Sequence, residues 1–504
     1  MAMQQEQGQL RGVSMAGKDL FFSGRTQIDR LGKTNRGFVL FAAFISTSII
    51  LFSMMIANDI SISRQLWYSV FSIITIFFLI FSLCVFKCLG YGFLSFPSLF
   101  MLCNALFYFG QLWLLGLFPE YTFQVYSKFN SFDIYPFEVV KFSTSYVLIT
   151  LLFVVWGIVL YRCKKNCYQP TTGTSFNKKL LRKAGLVIIL ITLPFNVYSG
   201  VLSIITSFSS GYHATFNMDT SDFISCVGWI SVLGFSLILL STDAKVRNAV
   251  LLFAVALFSV EMLSGNRKSS ICAILTLFIV YFSIEKKNRR RKVLSIVLIA
   301  VIGLLLLTLI TAIKSYRNVT KKDFASFLVV LAQNFSFNSL FSFVEEFGST
   351  AAVPSITKIY LDETGGYLYG WSYISGLFSF FPNIFGNFIA NITRSGAFVR
   401  VIQTHGIYGA YDSIGGSYIG ELLINFSVLG PFGGIVIGRG VGFLSNSLEE
   451  QNKHLPYAIM PIFSMFEWIR WDFNNIVRYI LWSWVLFIVV KTCLRRRNEV
   501  ALLR

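Results

Sequence analysis

Apolar residues recur in this chain in runs of about 17–25, the length an α-helix needs to cross a hydrocarbon layer about 30 Å thick. About nine such runs come first, near 37–57, 66–86, 94–118, 143–162, 184–206, 222–240, 246–263, 269–284 and 292–313. About three follow, near 416–438, 455–469 and 475–491. Between them, 314–415 breaks the rhythm. Backbone groups in lipid must bond within their own segment, so each run is read as a helix. A chain 55% hydrophobic and 13% charged, with mean hydropathy +0.65, carries too much apolar surface for a soluble core. The expectation is an all-α polytopic membrane protein of about 12 transmembrane helices. Residues 1–36 form a polar tail, 37–313 hold the first nine helices and 314–415 form one long extracytoplasmic loop. Residues 416–491 hold the last three helices, and 492–504 form a basic tail.

The formal charge of +19 does not indicate nucleic acid, because the cations sit in short clusters at the ends of apolar runs. Clusters at 162–183, 286–292 and 491–504, together with the cationic tail before residue 37, orient both termini to the cytoplasm. Anionic lipid headgroups are the expected partners of these loops. No apolar stretch precedes Gly37, so no cleavable signal is expected. The eight cysteines fall in runs or beside cytoplasmic clusters, and no disulfides are expected.

Several cations remain on the opposite face, close to the membrane. Arg267 and Lys268 lie in a tight turn, Arg317 follows the ninth run, Arg394 and Arg400 come late in the loop, and Arg470 joins the last two runs. Such side chains either snorkel to headgroups or bind an anion. The planar guanidinium fork suits phosphate oxygens, and each Arg at about 4 Å contributes about 4 kcal/mol at an effective dielectric of 20. No metal is expected: His213, His405 and His454 are spread apart, and His454 lies on the cytoplasmic side. No Gly-rich nucleotide loop occurs, so no cofactor or nucleotide donor is implied.

The loop itself is patterned. Residues 324–347 read as an amphipathic helix lying on the membrane or capping the bundle. Tyr369 and Trp371 belong to a Gly- and aromatic-rich segment, and Tyr411 to another. Aromatic faces stack on sugar rings, and equally suit the membrane interface. Residues 371–390 are apolar, but Gly376, Pro382 and Gly386 favour an interfacial or re-entrant element over a span. Glu421 lies about one and a half turns inside an apolar helix. There it is protonated, paired with an arginine, or used as an acid or base; a structural pair is slightly favoured. His405 and Asp412 are the other candidates for accepting a proton from a hydroxyl.

Several pieces together resemble the Wzy family of bacterial O-antigen and capsule repeat-unit polymerases. They are Gly265-Asn266-Arg267, Tyr369-Gly370-Trp371-Ser372-Tyr373 leading to Phe381-Pro382, and Gly416-Ser417-Tyr418-Ile419-Gly420-Glu421. Arg470-Trp471-Asp472 is similar to the family's Arg-x-Asp between the final spans, with Asp472 as a pairing residue. The agreement runs over roughly 260–490. The resemblance implies a GT-C-like helical bundle related to O-antigen ligases, in the bacterial inner membrane. It implies a metal-independent glycosyltransferase that polymerises undecaprenyl-pyrophosphate-linked repeat units at the outer face of that membrane. Arg267, Lys268, Arg317, Arg394, Arg400 and Arg470 would meet the pyrophosphate; Tyr369, Trp371 and Tyr411 the sugar; His405, Glu421 or Asp412 the proton. A chain-length regulator (co-polymerase) and a flippase would act beside it. The alternatives are an O-antigen ligase using the same donor, or a polysaccharide flippase, though no internal repeat of the transporter kind is visible.

Overall fold

The computed structural model describes residues 33–120, 131–165, 177–210, 222–262, 267–284, 324–333, 337–381, 388–404, 415–450 and 454–502. Every regular element among the described residues is helical. The bundle opens with α1 (Lys33–Asp59), α2 (Arg64–Cys88), α3 (Phe96–Leu117), α4 (Phe137–Lys165) and α5 (Lys178–Ser210). Next come α6 (Asp222–Trp229), α7 (Ser231–Ser241), α8 (Ala244–Glu261) and α9 (Arg267–Ile284). The expected span at 292–313 lies outside the described residues. Eight helical stretches among those described are long and apolar enough to cross a membrane, with Ile224–Ser241 and Tyr418–Glu450 each taken as one through an internal break, and Lys268–Ile284 is apolar but shorter.

Local sequence sets the helix ends. Ser63 caps α2 by accepting from the Leu66 N–H at 3.3 Å, and Pro97 stands in the first turn of α3, where its missing N–H costs nothing. Pro194 sits inside α5 without ending it. The tenth apolar run is broken more sharply than a proline kink. It divides into α16 (Tyr418–Phe426), a 3-10 stretch Ser427–Phe432 containing Pro431, and α17 (Gly433–Glu450).

Helices approach closely where side chains vanish, which is how packing is gained when lipid competes equally for apolar surface. A Cβ on Gly157 of α4 would stand 2.9 Å from the Arg439 nitrogen and from the Gly438 Cα of α17. At one end of the bundle Arg162 pairs with Glu449 at 3.0 Å and donates to the Leu89 carbonyl at 3.3 Å. At the opposite end Arg64 donates to the Tyr135 carbonyl at 3.3 Å, and Gln65 to the Leu115 carbonyl at 2.8 Å.

The described parts of 314–415 pack onto this bundle. The single amphipathic helix expected over 324–347 is two helices, α10 (Phe324–Gln333) and α11 (Phe337–Gly348). α11 packs along α3, where a Cβ on Gly110 would meet the Val344 carbonyl oxygen at 2.7 Å, and Glu345 is fully buried. α12 (Ala352–Thr364) packs between α4 and α16, with Ser355 and Ser143 hydroxyls 2.7 Å apart. The described residues of 371–396 form two short helices rather than a span. α13 (Trp371–Phe378) and α14 (Phe388–Gly396) have 8 and 9 residues, about 12–14 Å each at 1.5 Å per residue. α15 (Phe398–Thr404), α16 and α17 follow, then α18 (Leu455–Trp468) and α19 (Phe473–Leu502).

Candidate functional site

Lys268, Glu421, Glu467, Trp471 and Asp472 meet where α16 begins and where α18 turns into α19. Gly415 and Gly416 run directly against that turn: a Cβ on Gly416 would stand 2.7 Å from the Trp471 carbonyl carbon and 2.8 Å from the Asp472 nitrogen. Ser417 then caps α16, accepting from the Ile419 and Gly420 N–H groups. Its hydroxyl lies 2.6 Å from Tyr108 of α3, which donates to the Ile469 carbonyl at 3.1 Å. Tyr418 donates to Asn104 of the same helix at 2.6 Å. Two segments far apart in sequence are thus pinned to one helix.

Glu421 is 1% exposed. It accepts from the Trp468 indole N–H at 3.0 Å and from the Phe473 backbone N–H at 3.2 Å. Phe473 opens α19, so the carboxylate meets a helix N-terminus whose first N–H groups lack helical partners. No arginine among the described side chains pairs with it. Its partners are an indole N–H and a helix end rather than an arginine. One turn on, Asn425 donates to Ser372 at 2.8 Å and accepts from the Gly370 N–H at 2.8 Å, while the Leu368 N–H donates to the Ile424 carbonyl at 3.0 Å. The aromatic segment is therefore tied to the C-terminal end of α16. Both non-glycine residues with positive φ among the described residues lie here, Tyr369 at 46° and Ser427 at 51°. Tyr369 is 81% exposed, whereas Trp371 is partly covered and donates to Ser395 at 3.1 Å.

Lys268 neither snorkels nor faces outward. Its ammonium pairs with Glu467 at 3.0 Å and lies 3.2 Å from the Trp471 ring centroid, with side chains 13% and 2% exposed for the pair. A cation buried to this degree needs a counter-charge, and α18 supplies it. Asp472 accepts from Asn475 at 2.7 Å. Burial pushes its carboxyl up from 3.8 to about 6, against the pull of Lys268. Arg470 is half-buried beside Gly415. Arg394 and Arg400 are exposed, and α14, which carries Arg394, is tied to α19 by Asn474 donating to the Thr393 carbonyl at 3.1 Å. Arg267 opens α9, and its side chain lies outside the described residues, as do Arg317, His405, Tyr411 and Asp412. Among the described residues no three His, Cys, Asp or Glu side chains gather into a metal-binding group.

Sequence reading passed over Glu467, Trp468, Tyr108 and Asn425. Glu467 carried a legible signal, because it lies in an apolar run where the rule that singled out Glu421 applies equally. Buried polar atoms without a hydrogen-bond partner among the described residues also lie near this turn: Tyr373 Oη, Ser464 Oγ, Glu467 Oε1, Trp471 Nε1 and Asn474 Oδ1.

The family model for the O-antigen polysaccharide polymerase Wzy matches residues 38–497, nearly the whole chain. Comparison with curated proteins and with solved structures found no match. The match extends over the first half, where the motifs are silent, and includes every segment brought together at the α16 and α18–α19 junction. The chain belongs to the Wzy family of O-antigen polysaccharide polymerases, multi-pass membrane proteins that join glycan repeat units.

Proposed function

We propose that this protein polymerises undecaprenyl-pyrophosphate-linked repeat units at the outer face of the bacterial cytoplasmic membrane, with both of its termini in the cytoplasm. The observation that carries this reading is the meeting of Gly415–Glu421 with the Arg470–Asp472 turn, to which the aromatic segment at 367–373 is also tied. One site then joins cations, a carboxylate and sugar-sized aromatic faces.

In this reading an acceptor sugar hydroxyl attacks the anomeric carbon of the donor glycan. The new glycosidic C–O bond forms as the anomeric C–O bond to pyrophosphate breaks, and the pyrophosphate leaves with the electron pair. Arg267, Arg317, Arg400 and Arg470 stabilise that leaving charge, with Arg394 at the rim, and no metal is required. His405 or Asp412 takes the hydroxyl proton. Glu421 holds Trp468 and the start of α19 in place, and Lys268 fixes the turn through Glu467. Tyr369, Trp371 and Tyr411 contact sugar. Two lipid substrates diffusing in one membrane face meet at lower entropic cost. A flippase delivers the repeat unit, and a chain-length regulator acts as partner.

Genetic deletion separates the readings. Loss of a polymerase leaves surface glycan of a single repeat, loss of a ligase leaves long lipid-linked chains, and loss of a flippase leaves lipid-linked units facing inward. Complementation with Arg470→Ala at normal protein level is expected to lower polymer yield on the order of 100-fold, the scale of one lost transition-state donor. Full-length polymer from a variant lacking both Arg470 and Arg267 would contradict the clamp.

A further inference from the structure

The unit formed by Lys268, Glu467 and Trp471 has open hydrogen-bonding capacity. Lys268 engages Glu467 Oε2 at 3.0 Å, while Glu467 Oε1 is buried with no hydrogen-bond partner among the described residues. The same is true of Trp471 Nε1–H, whose ring lies 3.2 Å from the same ammonium. Ser464 Oγ, also buried and unpartnered, stands one turn before Glu467 on α18. Lys268 therefore anchors an acceptor and a donor that both lack partners. Buried polar groups in folded proteins are almost always paired, so such a combination calls for an occupant.

A hydroxyl has the matching chemistry, since it donates to a carboxylate oxygen and accepts from an indole N–H at once. A phosphate does not, because Glu467 would repel it, and an ammonium cannot accept from Trp471. Arg470 adjoins Trp471 in sequence, so a hydroxyl bound here would belong to a group lying beside the pyrophosphate. The geometry points to Glu467 and Trp471 as a binding pair for one sugar hydroxyl of the lipid-linked repeat unit, fixed in orientation by Lys268. This rests on the polymerase reading above. It adds a specificity element: a repeat unit lacking or modifying that hydroxyl is a poorer substrate. Water is the other source of the same chemistry, and the test separates the two.

Single variants of Glu467 leave the Lys268 charge buried and unmatched, so folding and binding would be confounded. Trp471→Phe avoids this by keeping an aromatic ring beside the ammonium and removing only the N–H. Full-length protein in proteoliposomes is assayed for extension of the lipid-linked repeat unit isolated from cells lacking the polymerase, with Tm measured in parallel. Trp471→Phe is expected to raise KM about tenfold, one neutral hydrogen bond, with kcat nearly unchanged and Tm not lowered. The charge-free pair Lys268→Leu with Glu467→Leu is expected to fold and to raise KM on the order of 100-fold, since a charged acceptor is lost. Unchanged KM in a folded Trp471→Phe protein overturns the proposal and assigns the N–H to water. A fall in Tm alone assigns the residue to packing and also overturns it. Wild-type protein that fails to extend the unit overturns the polymerase reading itself, a distinguishable result.

Discussion

Asp472 is buried beside a lysine that already has a carboxylate partner, so its ionisation is opposed by desolvation more than it is helped by charge. With the folded-state pKa raised from 3.8 to about 6, the fold favours the neutral acid. That contribution to stability is complete below about pH 4 and is lost as pH rises through 6. Asp472→Asn removes the dependence, so its Tm should gain on the wild type from pH 4 to pH 7.5, by the equivalent of on the order of 1–3 kcal/mol. A difference that does not change with pH would contradict this. Glu421 gives a second expectation. Glu421→Gln keeps an oxygen for Trp468 and Phe473 and should retain both Tm and polymer, whereas Glu421→Leu leaves two donors unmet and should cost about 1–3 kcal/mol for each. A glutamine variant of normal Tm that makes no polymer would give Glu421 the proton instead. One charge in an apolar run made Glu421 legible from sequence. Glu467 was legible by the same rule, but its pairing with Lys268 was not, because the two come from distant spans and pairing across a bundle leaves no local pattern.

Helices of this bundle depend on contacts that only glycine permits and on one backbone break. Gly438 of α17 faces the Val154 carbonyl and Gly157 of α4 so closely that even one methyl must push the helices apart. Gly438→Ala is expected to destabilise by about 1–3 kcal/mol, read as a lower Tm in detergent. Ser427 ends α16 at φ 51°, a conformation that favours glycine, so Ser427→Gly should raise stability by about 1 kcal/mol. Hydropathy located these helices because lipid demands length and apolarity from each. It did not reveal the break, since apart from Ser427 the stretch 427–432 carries no polar side chain. Nor did it divide 324–347, because an amphipathic pattern persists across both α10 and α11. Short apolar helices at 371–396 were separable from spans by their glycines and proline, the residues that shorten helices.

The start of α9, the residues leading into α16 and the turn between α18 and α19 come together, as Lys268 pairs with Glu467 and Gly416 packs against Asp472. In the topology proposed above, that end of the bundle faces the outside. In a background without native cysteines, Tyr369→Cys should react with an impermeant thiol reagent on spheroplasts, and Ala501→Cys should not. The reverse pattern would invert the topology. Of the segments grouped by motif order, Gly416–Glu421 and Arg470–Asp472 meet in the structure. Their depth and the tying of 367–373 to α16 through Asn425 depend on tertiary hydrogen bonds that no spacing encodes. Function follows from the assembled end of the bundle, so the purified protein alone should carry the activity. Proteoliposomes given lipid-linked repeat units, without nucleotide, should yield a ladder of longer glycans and one undecaprenyl pyrophosphate per bond formed. Repeat units left at their starting length by correctly folded wild-type protein would contradict the assignment.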